Sequence, residues 1–228
     1  MPESTKPLRA DAERNRRLLL DAAAAAFAEH GLDVGVGEIA RRAGVGRGTV
    51  FRRFPTKEHL IAAVVVDRMH QASGRGRELL ADPDPGAAMF ELLGTMVQAA
   101  QTDRALFEAV ADTFLANEDI RAAHSDLVEV LDRLLRRAQD AGAVRDDVGA
   151  LDLLMMFKGV CEASRPFNDS DMAARQLELV RAALRPVAAS ERLRGQPPTL
   201  DDMERAFPRT QGTGATEPPC PRGYRHAR

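Results

Sequence analysis

The chain has 228 residues, of which 32 are Lys or Arg and 34 are Asp or Glu, giving a formal net charge of −2. At about 100–200 residues per domain, this length allows one large or two small domains that bury a core without disulfides or metals. Apolar residues make up 44% of the chain and aromatic residues 4%, which favours a helical fold and argues against an all-β one. The charge is uneven, because residues 1–60 carry 11 basic and 8 acidic side chains against 21 and 26 in the remainder.

The first 56 residues predict three helices. Apolar residues at spacings of three and four predict a helix over 11–30, which Gly31 ends. Two short helices are predicted over 36–43 and 47–54, with a turn of glycine and valine at 44–46 between them. Two short helices joined by a tight glycine-containing turn are typical of a helix-turn-helix, whose second helix enters the major groove of DNA.

The middle of the chain predicts only further helices. Thr56 is the predicted N-cap of a long helix whose end is left undefined by Gly74 and Gly76. The remaining predicted helices begin near Pro85, at Asp103, after Asn117, and near residues 147 and 170. The fold class predicted from these signals is all-α, with about nine helices.

The last 43 residues differ from the rest. They hold 7 of the 13 prolines and few apolar anchors, so most of this segment is predicted to be disordered, with one short helix over 199–206.

Basic side chains concentrate on the predicted helix-turn-helix, where residues 34–60 hold six basic and two acidic side chains. Arg47 begins the second helix, at the end from which side chains reach base edges, and Arg52 and Arg53 lie on its polar side. Lys57 begins the next helix, where a cation and backbone amides bind a phosphate. This placement predicts DNA binding.

The segment from about Arg9 to Met69 resembles the DNA-binding domain of TetR-family (tetracycline-repressor-like) bacterial transcriptional regulators. The residues that carry the resemblance are Ile39-Ala40, Ala43-Gly44-Val45, Gly48-Thr49, Phe51 and Phe54-Pro55-x-Lys57-Glu58-x-Leu60. The resemblance implies a homodimer with about nine helices in each subunit and a variable helical ligand domain after the DNA-binding head.

Carried over position by position, the resemblance implies a set of DNA-binding residues: Arg47, Gly48, Thr49, Phe51, Arg52, Arg53 and Lys57. Three positions depart from the family pattern. Gly35 stands where a capping Thr is frequent, Gly37 where a polar or basic residue is frequent, and Phe51 where a Tyr is frequent.

Taken together, the residue patterns and the resemblance predict three parts: an N-terminal arm and helix-turn-helix domain at 1–56, a helical ligand-binding and dimerisation domain at 57–185, and a Pro-rich, largely disordered tail at 186–228. The helices near 147–164 and 170–185 are expected to form a four-helix bundle with their copies. We expect a repressor that binds an inverted-repeat DNA operator and is released by a small molecule.

Few charges lie on the apolar faces of the middle helices, so the expected ligand is mainly apolar and is bound by one or two polar groups. The Met and Phe residues of these helices are also compatible with an ordinary hydrophobic core, and His124 with a buried histidine of structural role. The candidate pocket residues are Met69, His70, Phe90, Met96, Gln98, Phe107, Phe114, His124 and Leu127.

Two other classes of function compete with this prediction. One is a helical ligand-binding or protein-interaction module whose head does not bind DNA. The other is an enzyme, which the sequence disfavours because it has no Walker A, GxSxG or HExxH motif and its five histidines are scattered, so we predict no metal and no cofactor. Cys161 and Cys220 form no disulfide or zinc pattern, and no stretch approaches the roughly 18 apolar residues of a membrane span, so we expect a cytoplasmic protein without membrane contact.

Overall fold

A computed structural model of the chain describes residues 5–104, 106–107, 117–164, 170–186 and 192–202. In these ranges every regular element is an α-helix, which confirms the all-α prediction. The helices are α1 (Thr5–His30), α2 (Val36–Arg42), α3 (Arg47–Arg53), α4 (Lys57–Leu79), α5 (Pro85–Thr102), α6 (Glu118–Asp140), α7 (Ala150–Ser164) and α8 (Ser170–Ala183). The helix predicted from Asp103 to about Phe114 falls mostly outside the described residues.

The helix ends follow the local signals in the sequence. The side chains of Thr56, Asp84 and Asn117 each accept a hydrogen bond from the backbone N–H three residues later, at 3.4, 2.9 and 3.1 Å, and so begin α4, α5 and α6. Gly31 ends α1 with φ at +70°, a conformation that favours glycine. Gly35 precedes α2 and provides no side-chain cap, as its residue type predicts.

Two hydrophobic clusters divide the molecule into a head and a body. The head cluster contains the buried faces of α1, α2, α3 and the first half of α4, together with Leu106, Ile120 and Ala123. The body cluster joins the second half of α4 to α5, α6, α7 and the end of α8. Because Ile120 and Ala123 belong to α6, the head packs directly on a helix of the body.

Helix α4, like α6, contributes to both clusters and so connects them. It continues through Gly74 and Gly76 to Leu79, so neither glycine ends the helix. A Cβ atom on Gly76 would lie 2.5 Å from the Cγ1 atom of Val130, so the missing side chain lets α4 lie close against α6. The close approach explains a glycine that the sequence alone presents as a helix breaker.

Residues 192–202 lie against the loop that precedes α7. Arg192 forms an ion pair with Asp146 at 3.0 Å, and the backbone N–H of Leu193 donates a hydrogen bond of 2.6 Å to Asp147. The Leu193 side chain itself is exposed.

Two further contacts attach this segment to the body. Leu200 packs against the body cluster, and a Cβ atom on Gly149 would lie 2.8 Å from Pro197. Residues 192–202 are therefore attached to the body by two polar and two apolar contacts, of which the polar ones do not depend on apolar anchors. Residues 200–202 are helical, within the helix predicted over 199–206. The disorder predicted for most of the tail concerns residues 203–228, which lie outside the described residues.

Candidate DNA-binding surface and ligand pocket

Helix α3 has one buried and one exposed face. Val50 and Phe54 are 1% and 7% exposed and pack into the head cluster. The other six residues of α3 are all predicted DNA-binding residues and are all exposed: Arg47, Gly48, Thr49, Phe51, Arg52 and Arg53. Lys57 is half-buried at the start of α4. All seven predicted residues therefore lie on α3 and on the first residue of α4.

The basic residues of α2 are compensated within the head. Glu38 accepts hydrogen bonds from Arg41 at 2.6 Å and from Arg42 at 2.9 Å, and Arg42 also pairs with Glu29 at 2.8 Å. The hydrogen bonds from Arg41 and then Arg42 lower the pKa of Glu38 from 4.5 to about 2. The charge count of the sequence therefore overstates the positive charge that α2 offers to DNA.

Unlike Arg41 and Arg42, three basic side chains of α3 and α4 are not paired with acidic side chains in the described part of the chain. Arg47, Arg52 and Lys57 form no ion pair with any described residue. The guanidinium of Arg47 lies 5.5 Å from the ring centroid of Phe51, one helical turn later, so the ring supports the side chain by a cation–π contact. The positive charge available to a phosphate or a base therefore concentrates on α3 and the first residue of α4.

The body contains a cavity of about 140 Å³. Its lining comes from α4, α5, α6, α7 and the residues after α5: Val65, Arg68, Met69, Ala72, Met96, Ala99, Ala100, Asp103, Leu106, Phe107, Leu127 and Phe157. Val65 and Leu106 belong to the head cluster, whereas Met96 and Leu127 belong to the body cluster. The cavity therefore lies where the two cores meet.

Two charged side chains interrupt this apolar lining. The Nε–H of Arg68 on α4 donates a hydrogen bond of 2.6 Å to Asp103, which follows α5. The Asp103 side chain is 9% exposed and that of Arg68 is 36% exposed. The pair therefore connects α4, which begins in the head, with the residue that follows α5 in the body.

Four of the predicted pocket residues line this cavity: Met69, Met96, Phe107 and Leu127. The other described candidates lie elsewhere. His70 and Gln98 are exposed, because they lie on the solvent side of α4 and α5. Phe90 packs on the body cluster under the guanidinium of Arg181, 4.9 Å from its ring centroid. His124 is outside the lining, and burial lowers its pKa. Phe114 lies outside the described residues.

Sequence reasoning missed the polar pair and several apolar residues of the lining. Arg68 lies three residues after Val65 and four before Ala72, so helical spacing alone places all three on one face of α4. No sequence signal connects Arg68 with Asp103, which is 35 residues away.

Helices α7 and α8 carry exposed apolar groups. Met155 on α7 and Leu179 on α8 are 50% and 55% exposed. Gly159 is also exposed, and a Cβ atom there would have no neighbour within 4 Å among the described residues.

In the part of the chain that the structure covers, no helix is both long and apolar enough to cross a membrane.

Comparison with known proteins agrees with this architecture. A sequence profile described as "Bacterial regulatory proteins, tetR family" matches residues 19–64, and one described as "Transcriptional regulator SbtR-like, C-terminal domain" matches residues 84–186. The two profiles match the head and the body respectively.

Individual relatives are regulators of the same kind. The chain is similar to the TetR transcription regulatory protein of Mycobacterium vanbaalenii, with 36% identity and a TM-score of 0.62 over 78% of this chain and 99% of that one. An uncharacterised HTH-type transcriptional regulator of Mycobacterium tuberculosis is 30% identical over 173 residues, which are 72% of this chain and 89% of the relative. The HTH-type transcriptional repressor KstR of Rhodococcus jostii is 33% identical over 135 residues, which are 57% of this chain and 61% of KstR. The chain belongs to the TetR family of DNA-binding transcriptional regulators.

Proposed function

We propose that the protein is a cytoplasmic repressor that binds an inverted-repeat DNA operator as a homodimer and is released by a small, mainly apolar ligand. The observation that carries this proposal is the position of the cavity between the head and body clusters. Helix α4 begins at Lys57 beside the exposed face of α3 and reaches the cavity wall at Val65 and Met69. One continuous helix therefore links the proposed DNA-binding surface to the pocket.

DNA recognition is assigned to α3. In this proposal Arg47, at the N-terminal end of α3, makes a bidentate contact with guanine, and Arg52 and Lys57 make phosphate contacts that carry no sequence information. Arg53, also exposed, reaches bases or backbone, and Gly48 and Thr49 let the start of the helix approach the groove closely.

The homodimer is assigned to α7 and α8. Large apolar side chains exposed on both helices favour burial against a second copy, and a glycine at position 159 permits close backbone approach.

Leu179→Glu should therefore convert the dimer to a monomer in sedimentation experiments. Leu18→Glu is the matched control, because Leu18 is 52% exposed on α1 in the head and should leave the dimer intact. A Leu179→Glu protein that stays dimeric would contradict this assignment.

Ligand binding in the cavity is proposed to release the operator DNA through α4. Two heads must keep one spacing to contact two half-sites, so a small tilt of α4 in each subunit lowers operator affinity without unfolding either subunit. A ligand in the cavity contacts the residues of α4 that set this tilt. Coupling between two such sites is typically about 1–3 kcal/mol, and linkage requires operator DNA to weaken ligand binding by the same factor.

The experiment that tests the proposal is a salt-dependent gel shift with genomic fragments, followed by titration of the retained fragment in the presence of candidate ligands. Specific retention that a ligand abolishes supports the proposal. Absence of any specific fragment would instead favour the alternative of a helical ligand-binding module whose head does not bind DNA.

A further inference from the structure

The chemistry of the cavity wall restricts the kind of ligand that it accepts, and this inference rests on the proposed function of the cavity. Apart from Arg68 and Asp103, every described lining residue is apolar. These two side chains compensate each other's charge across a hydrogen bond of 2.6 Å. Within the described residues the wall is therefore electrically balanced before any ligand enters.

Among the described residues, the hydrogen bonds of Arg68 do not use all of its N–H donors. Its Nε–H binds Asp103 and its Nη1–H binds Gln71 at 3.2 Å, so Nη2 has no acceptor among the described residues. A guanidinium has five N–H groups and no acceptor, so the group still available at this wall is a hydrogen-bond donor.

A charged ligand would disturb this arrangement. A carboxylate that paired with Arg68 would compete with Asp103, and an ammonium that paired with Asp103 would compete with Arg68. In both cases one charge would remain without a partner at a wall that is otherwise apolar, which is costly. An uncharged oxygen acceptor would instead bond to a remaining N–H donor of Arg68 and leave the ion pair intact.

We propose that the ion pair of Arg68 and Asp103 is the polar recognition element of the cavity, and that the effector is an uncharged, largely apolar molecule with one carbonyl or hydroxyl oxygen that accepts a hydrogen bond from Arg68. Because Arg68 belongs to α4, this hydrogen bond acts on the helix that carries the head.

Four small probes separate the alternatives. A cavity of this size is close to the roughly 150 Å³ that accommodates a benzene ring. Toluene, acetophenone, benzoate and benzylamine share that ring and differ in the attached group, which is apolar, a neutral acceptor, an anion or a cation. Binding is measured with the full chain by NMR of 13C-labelled Met methyl groups, because Met69 and Met96 line the cavity.

We expect acetophenone to bind about three- to tenfold more tightly than toluene, the gain of one net hydrogen bond, and both charged probes to bind more weakly than toluene. The double variant R68M/D103L replaces the pair by apolar side chains and should retain toluene binding while losing the preference for acetophenone. The control is R75M/E91L, which removes an exposed ion pair between the same two helices outside the lining and should keep the preference.

Three results would overturn the inference: tighter binding of benzoate or benzylamine than of acetophenone, an unchanged preference in R68M/D103L, or no shift of the Met69 and Met96 signals with any probe. The same protein preparations are tested for DNA binding. Specific DNA binding by the unmodified, probe-free chain together with any of these results would reject the ligand class alone, whereas absence of specific DNA binding by that chain would reject the proposed function.

Discussion

The same substitution at two glycines of α4 should have opposite effects on stability. Alanine in place of glycine in a helix interior stabilises by about 0.5–1 kcal/mol. At Gly74 the added Cβ atom meets no atom within 4 Å among the described residues, so Gly74→Ala should show this gain.

At Gly76 the added Cβ atom would lie 2.5 Å from Val130 Cγ1 and 3.1 Å from Leu92 Cδ2. Contacts this short require the packed helices to shift, and overpacking of a core costs about 1–3 kcal/mol. The branched Val130 side chain has little rotamer freedom with which to avoid the new atom. Since the helix-propensity gain is common to both sites, Gly76→Ala should be less stable than Gly74→Ala by roughly 1–3 kcal/mol.

The assay is thermal unfolding of both variants at one protein concentration, where each kcal/mol shifts Tm by about 2–4 °C for a domain of this size. Val130→Ala creates space beside position 76, so the penalty of Gly76→Ala should largely disappear in that background. Equal melting temperatures for the two single alanine variants, or an undiminished penalty beside Ala at 130, would refute the close packing of α4 on α6.

Three further predictions concern the surface, the head and the tail. Arg47→Ala should weaken operator binding by about 1–3 kcal/mol and relax base preference, whereas Lys57→Ala should weaken all DNA sites alike and lower the salt slope by about one, as binding isotherms at several salt concentrations will show. Because the pKa of Glu38 falls from 4.5 to about 2 on folding, its ion pairs stabilise the head above pH 4.5 and lose this effect as the pH falls toward 2, so Glu38→Gln should flatten the pH dependence of Tm in that range. Truncation after Arg185 should lower Tm by removing the contacts of residues 192–202, whereas truncation after Asp202 should leave it nearly unchanged.

Local signals were sufficient to predict much of the fold. The caps at Thr56, Asp84 and Asn117 and the glycine turn before Arg47 act within a few residues, so their consequences are visible in the sequence. The exposed face of α3 follows from the same helical periodicity, which buries Val50 and exposes its neighbours.

Contacts between distant segments were not predictable in this way. Glu38 stands three and four residues before Arg41 and Arg42, a spacing that predicts ion pairs on a helix, yet the contribution of Glu29 requires α1 to pack beside α2. The pair of Arg68 and Asp103 exists only because α4 and the end of α5 meet at the cavity. The polar candidates His70 and Gln98 lie on α4 and α5, which both contribute to the cavity lining, but on the solvent side of these helices.

Operator binding by a homodimer is tested most directly by selecting DNA sites from a random pool with the full chain and measuring the number of chains bound to the selected site. A homodimeric repressor should select an inverted repeat bound by an even number of chains, with half-site centres about 34–36 Å apart or at a multiple of that distance. Selection of a site without dyad symmetry, binding by a single chain, or no enrichment over random DNA would contradict operator binding by a homodimer.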